Sequence, residues 1–278
     1  MKRLLSIELQ KIWKNKASKV LTISYFVILS FIALIASIKF EIGTFKIHFA
    51  EMGIFNFPFI WHFNTYIAAI LKFFLAIVIV SMMANEYSYG TLKQNLIDGM
   101  SKKEFVYSKF LTVVLFALLS TVFVFIMSLI LGLSFSSYTE IGIIFTGMEY
   151  LLAYFIKLVG FFSFCLLLGV LVKRSAFAIG FLFVWNIFEG IVNGILTFKV
   201  FPKQETAAQI MQFFPLESMS NLIVEPFSRL NVIKSIQTAV GANNIKDYSI
   251  HFTSLLIVMA WTCIFIYLSY RIIKKRDL

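Results

Sequence analysis

Charged residues, cysteine and proline are all scarce in this chain of 278 residues. Only 14% of the residues are charged, and there are two cysteines and four prolines. A soluble domain has about 25% charged and about 45–50% apolar residues, whereas 60% of this chain is hydrophobic. Cys165 and Cys263 both lie inside apolar runs. The composition therefore excludes an ordinary soluble domain, a disulfide framework and a cysteine metal site.

Residue patterns for catalysis and metal binding are also missing. His48, His62 and His251 are isolated, and no pair of them has metal-ligand spacing. The chain has no G-x-x-x-x-G-K-[ST] phosphate loop, no HExxH motif and no paired carboxylates. We therefore expect a protein that is not an enzyme, with no metal and no catalytic residue of its own.

Long apolar runs are abundant instead. A membrane-spanning helix needs about 20 apolar residues, and the mean hydropathy is +0.87. We predict an all-α integral membrane protein that forms one membrane domain over residues 1–278. Its six spans are predicted at residues 20–38, 66–84, 110–133, 150–172, 176–198 and 252–270.

The positive charge, a net +11, is concentrated in segments that flank the apolar runs, as in a membrane protein. We therefore expect no nucleic-acid partner. With the N-terminus inside, segments 1–19, 85–109, 173–174 and 271–278 hold 16 Lys and Arg residues. The opposite loops hold 7, mostly in the long outer loop 199–251. Both termini are therefore predicted to be cytoplasmic. Residues 1–19 place apolar side chains at helical spacing among lysines, which predicts an interfacial helix on membrane lipid.

The loop between spans two and three, residues 85–109, has unusually strong helix signals. Thr91 to Gln94 fits a capping box, which predicts a helix that starts at Leu92 and is capped by Thr91. Gly99 supplies the stop, and Ser101 with Glu104 forms a second capping box. The prediction is a short helix set across the membrane axis.

This loop resembles the corresponding loop of ABC-2-type transporter permeases. The resemblance lies in Glu86-Tyr-Ser-Tyr-Gly90-Thr91, the following Lys93-Gln94 and the basic Ser101-Lys102-Lys103. The N-terminal helix, the six spans and the basic C-terminal tail also agree, so that the resemblance covers nearly the whole chain.

The resemblance implies a coupling helix that docks on a separate ATP-binding subunit. The expected coupling residues are Glu86, Gly90, Thr91, Leu92, Leu96, Ser101, Lys102 and Lys103. Leu92 and Leu96 would be the apolar contacts to the ATPase, and Glu86 would anchor the turn. It also implies a permease homodimer with two ATPase subunits that carry the ATP and magnesium. The location would be the bacterial cytoplasmic membrane, and the substrate an amphiphile such as a drug, peptide or lipid.

Three charged residues fall inside predicted spans, namely Lys72, Lys157 and Glu189. Such charges are costly in a bilayer and are expected to face a partner or water. One interpretation is a polar substrate pathway on one helix face, formed by Asn186, Glu189 and Asn193. The other is a structural pair between Lys157 and Glu189, or lysines that extend toward the outer interface.

Two other function classes fit the same pattern. An ion-coupled secondary transporter or channel would use Lys72, Lys157 and Glu189 as its relay or conduction site. A membrane scaffold of a surface-assembly machine is the other alternative. The capped loop favours the permease, because a relay transporter does not need a docking helix.

Overall fold

The computed structural model describes residues 2–38, 40–42, 45–47, 52–200, 204–230 and 246–276. These residues form helices and one short antiparallel hairpin, Phe40–Ile42 (β1) with Phe45–Ile47 (β2). The helices are α1 (Lys2–Lys14), α2 (Lys16–Ser37), α3 (Phe59–Ile70), α4 (Lys72–Ser88), α5 (Thr91–Ile97), α6 (Lys102–Phe135), α7 (Ile141–Phe145), α8 (Glu149–Val172), α9 (Ser175–Ile195), α10 (Gln204–Met211), α11 (Pro215–Ser220) and α12 (Phe252–Lys275). A π-helical turn extends α9 over Leu196–Val200.

Five helical stretches are long and apolar enough to span a membrane, which makes this a multi-pass membrane protein. They are Lys16–Ser37, Lys102–Phe135, Ile141–Val172, Ser175–Val200 and Phe252–Lys275. The pair α3 and α4 passes the same test as one unit but is bent by 45°, which makes a sixth stretch. Each predicted apolar run therefore coincides with a helical stretch. The helices extend beyond most of the predicted ends.

The bend in the second stretch was not predicted. It falls at Leu71, whose amide N donates to Ala68 O at 3.2 Å in a tightened final turn of α3. Bends of this size usually occur at proline or at small residues. The sequence at the bend, Ile70-Leu71-Lys72, contains neither.

Helix α8 forms the centre of the bundle. In its most apolar window 72% of the residues are buried, against 17% in the corresponding windows of α2 and α9. Two glycines of α8 allow its neighbours to pack closely. A Cβ at Gly160 would lie 2.9 Å from a methyl group of Val258 on α12, and one at Gly169 would lie 2.9 Å from Met83 Cβ on α4. Small residues at such crossings are typical of membrane helix packing.

One end of the bundle gathers α1, α5, the last turn of α8 and the end of α12. Arg276, which follows α12, donates from Nη1 to Tyr87 Oη and to Val170 O, both at 2.7 Å. Lys102, at the start of α6, donates to Arg276 O at 2.8 Å. The first and last helices therefore end on the same side as the α4–α6 loop.

The opposite end is held together by contacts with the long loop 199–251. His62 Nε2 bonds Val224 O at 2.7 Å, and Tyr150 Oη donates to Tyr248 O at 2.7 Å. The outer loop 199–251 contains α10 and α11, but residues 201–203 and 231–245 lie outside the described residues. The same holds for His48 and for the last two residues of the basic tail.

Candidate functional site

The α4–α6 loop contains a short helix, as the sequence predicts, but the predicted cap is wrong. Helix α5 begins at Thr91, and its N-cap is Gly90, with a φ of +67° in the left-handed region. The Thr91 side chain makes no capping bond to the α5 backbone. It donates instead to Glu86 Oε2 at 2.6 Å. The Thr91 hydroxyl is thus a donor to a buried carboxylate outside α5, and not the acceptor that the Thr91-x-x-Gln94 pattern predicted.

The end of α5 and the start of α6 agree with the prediction. Gly99 has a φ of +96°, and the amide N of Met100 bonds Asn95 O at 3.0 Å. Together with the bond from Gly99 N to Leu96 O at 3.2 Å, this is a Schellman motif. At Ser101 both bonds of the predicted capping box are present. Sharp turns therefore fix α5 at both ends.

Glu86 anchors the loop to its surroundings. Its side chain is 2% exposed, and four donors converge on its carboxylate. Thr91 and Asn95 of α5 donate to Oε2, the latter at 3.4 Å. Lys11 of α1 donates to Oε1 at 2.8 Å, and Lys109 of α6 does so at 2.6 Å. One carboxylate thus joins α4, α5, α1 and α6, which agrees with the expectation that Glu86 anchors this turn.

Lys109 extends these contacts to a second carboxylate. Its Nζ lies 2.5 Å from Glu8 Oε2, and the side chains of Lys109 and Glu8 are 1% and 4% exposed. Burial of a lone charge costs several kcal/mol, but here two carboxylates and two ammonium groups neutralise one another. We call Glu8, Lys11, Glu86, Thr91, Asn95 and Lys109 the Glu86 network.

Four members of the Glu86 network were not identified from the sequence, namely Glu8, Lys11, Asn95 and Lys109. Two signals were available. Glu8 is the single acidic residue among the first nineteen, and Lys109 interrupts the apolar start of α6. Both signals identify charged residues that need a partner. Neither shows that Glu8 and Lys109 contact each other, because α1, α4 and α6 are distant in sequence.

The two leucines of α5 do not form the outward-facing surface that the resemblance implied. Leu92 is 2% exposed, and Leu96 is partly buried against the same core. One turn apart, both point toward the bundle, so Leu92 is wrong as a contact to another subunit. The exposed side chains near α5 are those of Tyr89, Lys93, Gln94, Ile97 and Asp98. Ile97 is 83% exposed.

The basic residues after α5 have different surroundings. Lys102 is half-buried, and its Nζ bonds the carbonyl groups of Lys274 and Arg276. Lys103 is exposed and lies beside an apolar groove between α6 and α12. Of these two lysines, only Lys103 has its side chain open to solvent.

The predicted pair between Lys157 and Glu189 is absent from the described residues. Lys157 Nζ donates to Ser220 O at 3.2 Å. Glu189 accepts from Trp185 Nε1 at 2.6 Å and from the backbone N–H groups of Leu216 and Glu217, at 3.1 and 2.8 Å. Both charged residues therefore hold the α11 segment, Lys157 at its C-terminal end and Glu189 at its N-terminal end, where negative charge is favoured.

The three polar residues predicted to share one face of α9 have different surroundings. Asn186 is exposed and Glu189 is 2% exposed, so these two side chains point in different directions. Asn193 lies with Glu189, because its amide reaches Glu217 Oε1 at 3.5 Å. The structure thus joins Glu189 and Asn193 to α11 and leaves Asn186 on the outer surface of α9.

Among the described residues, no group of three His, Cys, Asp or Glu side chains is arranged to hold a metal ion.

The fold and the Glu86 network define a multi-pass helical membrane protein with a short helix fixed at one end of its bundle. The chain belongs to the family described as "Protein of unknown function (DUF2705)", which matches residues 20–278. It is also similar to the "Uncharacterized protein YhcI" of Bacillus subtilis (strain 168), with 40% identity over 62 residues. That match covers 22% of this chain and 20% of the Bacillus protein.

Proposed function

We propose that this chain is the permease subunit of an ATP-driven ABC exporter in the bacterial cytoplasmic membrane. Two copies would form the translocation pathway for an amphiphilic substrate, and two separate ATP-binding subunits would supply ATP hydrolysis. The observation that carries the proposal is α5, a seven-residue helix fixed by turns at both ends and by the Glu86 network.

The construction of α5 suits a part that receives force from another subunit. A loop that only connects two spans does not need two left-handed glycines, a capping box and a buried ionic anchor. The proposed contact surface consists of exposed residues and takes the place of Leu92 and Leu96. Its residues are Tyr89, Lys93, Gln94, Ile97 and Asp98. Ile97 would be the central apolar contact, with charged and polar residues around it.

The proposed orientation places α5 in the cytoplasm. The bundle end that holds α5 and both chain ends carries 16 of the 25 Lys and Arg residues, and such an excess marks the cytoplasmic side. Helix α1 would lie at the membrane interface there. It exposes Leu9 and Trp13 together with several lysines, a combination that suits the lipid headgroup boundary.

Homodimerisation is supported by the uncovered faces of α2 and α9. Both helices are apolar, and only 17% of the residues in their most apolar windows are buried within the chain. Asn186 in the middle of α9 is exposed, and a polar amide at that depth is better placed against protein than against lipid. A second copy of the chain would cover it.

An ion relay through Lys72, Lys157 and Glu189 is less well supported by the same contacts. Glu189 accepts three N–H bonds, two of them from the backbone of α11, and each would be lost if the carboxylate moved to carry a proton. Lys157 also bonds the backbone of that segment.

Crosslinking from residue 97 tests the proposed function. A photoreactive amino acid replaces Ile97 in the full-length chain in native membranes, and crosslinked proteins are identified by mass spectrometry. We expect an ATP-binding protein with a Walker motif. Ile97→Asp should abolish its co-purification and leave membrane insertion intact. Ile141→Asp is the control, since Ile141 is 75% exposed at the opposite end. Normal co-purification and transport with Ile97→Asp would contradict the proposal.

A further inference from the structure

Lys72 has a partly exposed side chain and no acidic partner among the described residues. The residue begins α4 at the bend of the second span, inside the membrane-spanning region. Among the described residues it makes no hydrogen bond and no ion pair, and its Nζ lies 4.3 Å from the ring centre of Phe161. A cation over an aromatic face is only partly compensated. A lysine at this depth therefore needs an anion that the described part of the chain does not supply.

The nearby groups do not balance this charge. Helix α4 begins at Lys72 without a side-chain cap, and α3 ends at the adjacent Leu71, so the opposite ends of the two helix dipoles meet there. Lys157 is one helical turn from Phe161 on α8, and its Nζ bonds Ser220 O. The nearest candidate counter-ion on α9, Glu189, is bonded to the start of α11. The region is thus positively charged and has no free carboxylate among the described residues.

The open side of Lys72 is lined by aromatic rings. Lys72 is partly exposed, and the adjacent Phe73 stacks on Phe183 of α9 with ring centres 5.8 Å apart. Phe183 is itself 52% exposed. At this place the apolar chain of an amphiphile can pack against the Phe73 and Phe183 rings. Its anionic group can contact the Lys72 ammonium group.

We propose that Lys72, beside the Phe73–Phe183 ring pair, binds the anionic headgroup of an amphiphile. This inference rests on the proposed function, because it identifies the substrate class of the exporter as anionic amphiphiles. The chemistry is shared by single-chain amphiphilic anions and by anionic bilayer lipids. In this arrangement Phe183 contacts the apolar chain.

The test uses the full-length permease alone in nanodiscs of neutral phosphatidylcholine. The probe is 11-(dansylamino)undecanoic acid, and binding is measured by energy transfer from tryptophan. We expect saturable binding of the acid and only non-saturable partitioning of its methyl ester. Equal behaviour of the acid and the ester would overturn the proposal. A second arm adds phosphatidylglycerol to the nanodisc. Loss of acid binding assigns the site to bilayer lipid, and retention assigns it to single-chain anions.

Substitutions locate the site. Lys72→Met should weaken binding of the acid about tenfold or more, the value of a charge-assisted contact, while Lys72→Arg should retain it. Lys199→Met, at an exposed lysine, is the matched control. Phe183→Glu is a second test that leaves Lys72 in place, since it supplies an internal counter-ion and should abolish binding. Wild-type affinity in Lys72→Met or in Phe183→Glu would overturn the proposal.

The outcome of the acid-binding measurement does not depend on the outcome of the crosslinking experiment at residue 97. The binding measurement contains no ATPase, so failure to bind the acid while residue 97 still crosslinks to an ATP-binding protein would refute only the substrate class. Saturable acid binding without that crosslink would refute only the exporter assignment.

Discussion

Lys109 Nζ lies 2.5 Å from Glu8 Oε2, and this contact ties the base of α6 to the N-terminal helix. The two residues are 101 positions apart in sequence. The same Nζ is 2.6 Å from Glu86 Oε1, so one ammonium group separates two buried carboxylates. Without it, Glu8 and Glu86 would keep only the partly exposed Lys11, whose Nζ lies 3.8 Å from Glu8 Oε1 and 2.8 Å from Glu86 Oε1.

The first prediction concerns that ammonium group. Lys109→Met should destabilise the protein by about 3–5 kcal/mol, since removal of one partner leaves buried charge uncompensated. Thermal unfolding of the purified protein in detergent measures the effect. Lys103→Met is the control on the same helix, because Lys103 is exposed. If both variants unfold at the same temperature, the Glu86 network contributes nothing to stability.

The second prediction concerns the attachment of α5. Thr91→Val keeps the shape of the side chain but removes the donor to Glu86, a bond worth about 1.5–3 kcal/mol when the acceptor is charged. Amide hydrogen exchange over residues 91–99 should become faster by about tenfold or more. In Thr121→Val the lost bond runs to Ala117 O within one helix, and exchange in α5 should not change. Unchanged exchange in Thr91→Val would show that other contacts hold α5.

The third prediction separates two polar residues of α9. Glu189→Ala removes the acceptor for two backbone N–H groups of α11, so residues 214–222 should become more accessible to protease, at a cost of about 1–3 kcal/mol. Asn186→Ala should not have this effect, because Asn186 is exposed. Equal protease sensitivity in the two variants would contradict the structural role given to Glu189.

The fourth prediction uses pH. Burial, with a further contribution from the nearby Glu189, raises the pKa of Glu217 above its usual value, whereas Asn221 lowers it. A carboxyl group with a raised pKa destabilises the folded state in full above its folded pKa, and the cost falls to zero as the pH drops from the folded pKa to the unfolded pKa. Glu217→Gln should therefore be more stable than wild type at neutral pH. The difference should shrink in unfolding experiments at progressively lower pH, and a gain independent of pH would refute the explanation.

The fifth prediction concerns topology. Single cysteines at Asn95 and Arg174 should react with an impermeant thiol reagent only from the cytoplasm, and those at Glu140 and Ala208 only from outside. The background should carry Cys263→Ser, since that thiol is exposed. Labelling of residue 95 from outside would overturn both the orientation and the proposed coupling role of α5.

Local signals predicted the parts of the loop that depend on neighbouring residues alone. Gly99 and the Ser101–Glu104 box act within six residues, and the structure has both as predicted. Thr91 was misassigned because its acceptor, Glu86, is five residues away and is itself held by lysines of α1 and α6. Leu92 matched the resemblance, but tertiary packing placed it inside the bundle.

The apolar runs predicted the spanning helices because hydrophobic length is a property of one segment. The bend at Leu71 has no proline or glycine to signal it, so it depends on contacts that no single segment contains. The same reason explains the missing Lys157–Glu189 pair. Both residues found partners in α11, a segment of the outer loop whose position the sequence pattern did not specify.

Two connections lead from α5 toward the first two membrane-spanning helices. The first is covalent, through Gly90 into α4. The second runs through Lys11 into α1, which ends at the Asn15 elbow where α2 begins. If α5 is the coupling helix proposed above, a displacement of α5 would act on α4 directly and on α2 through α1. Lys109 also joins Glu86 to Glu8 of α1, so α1 would stay attached to the network after loss of the Lys11–Glu86 bond alone.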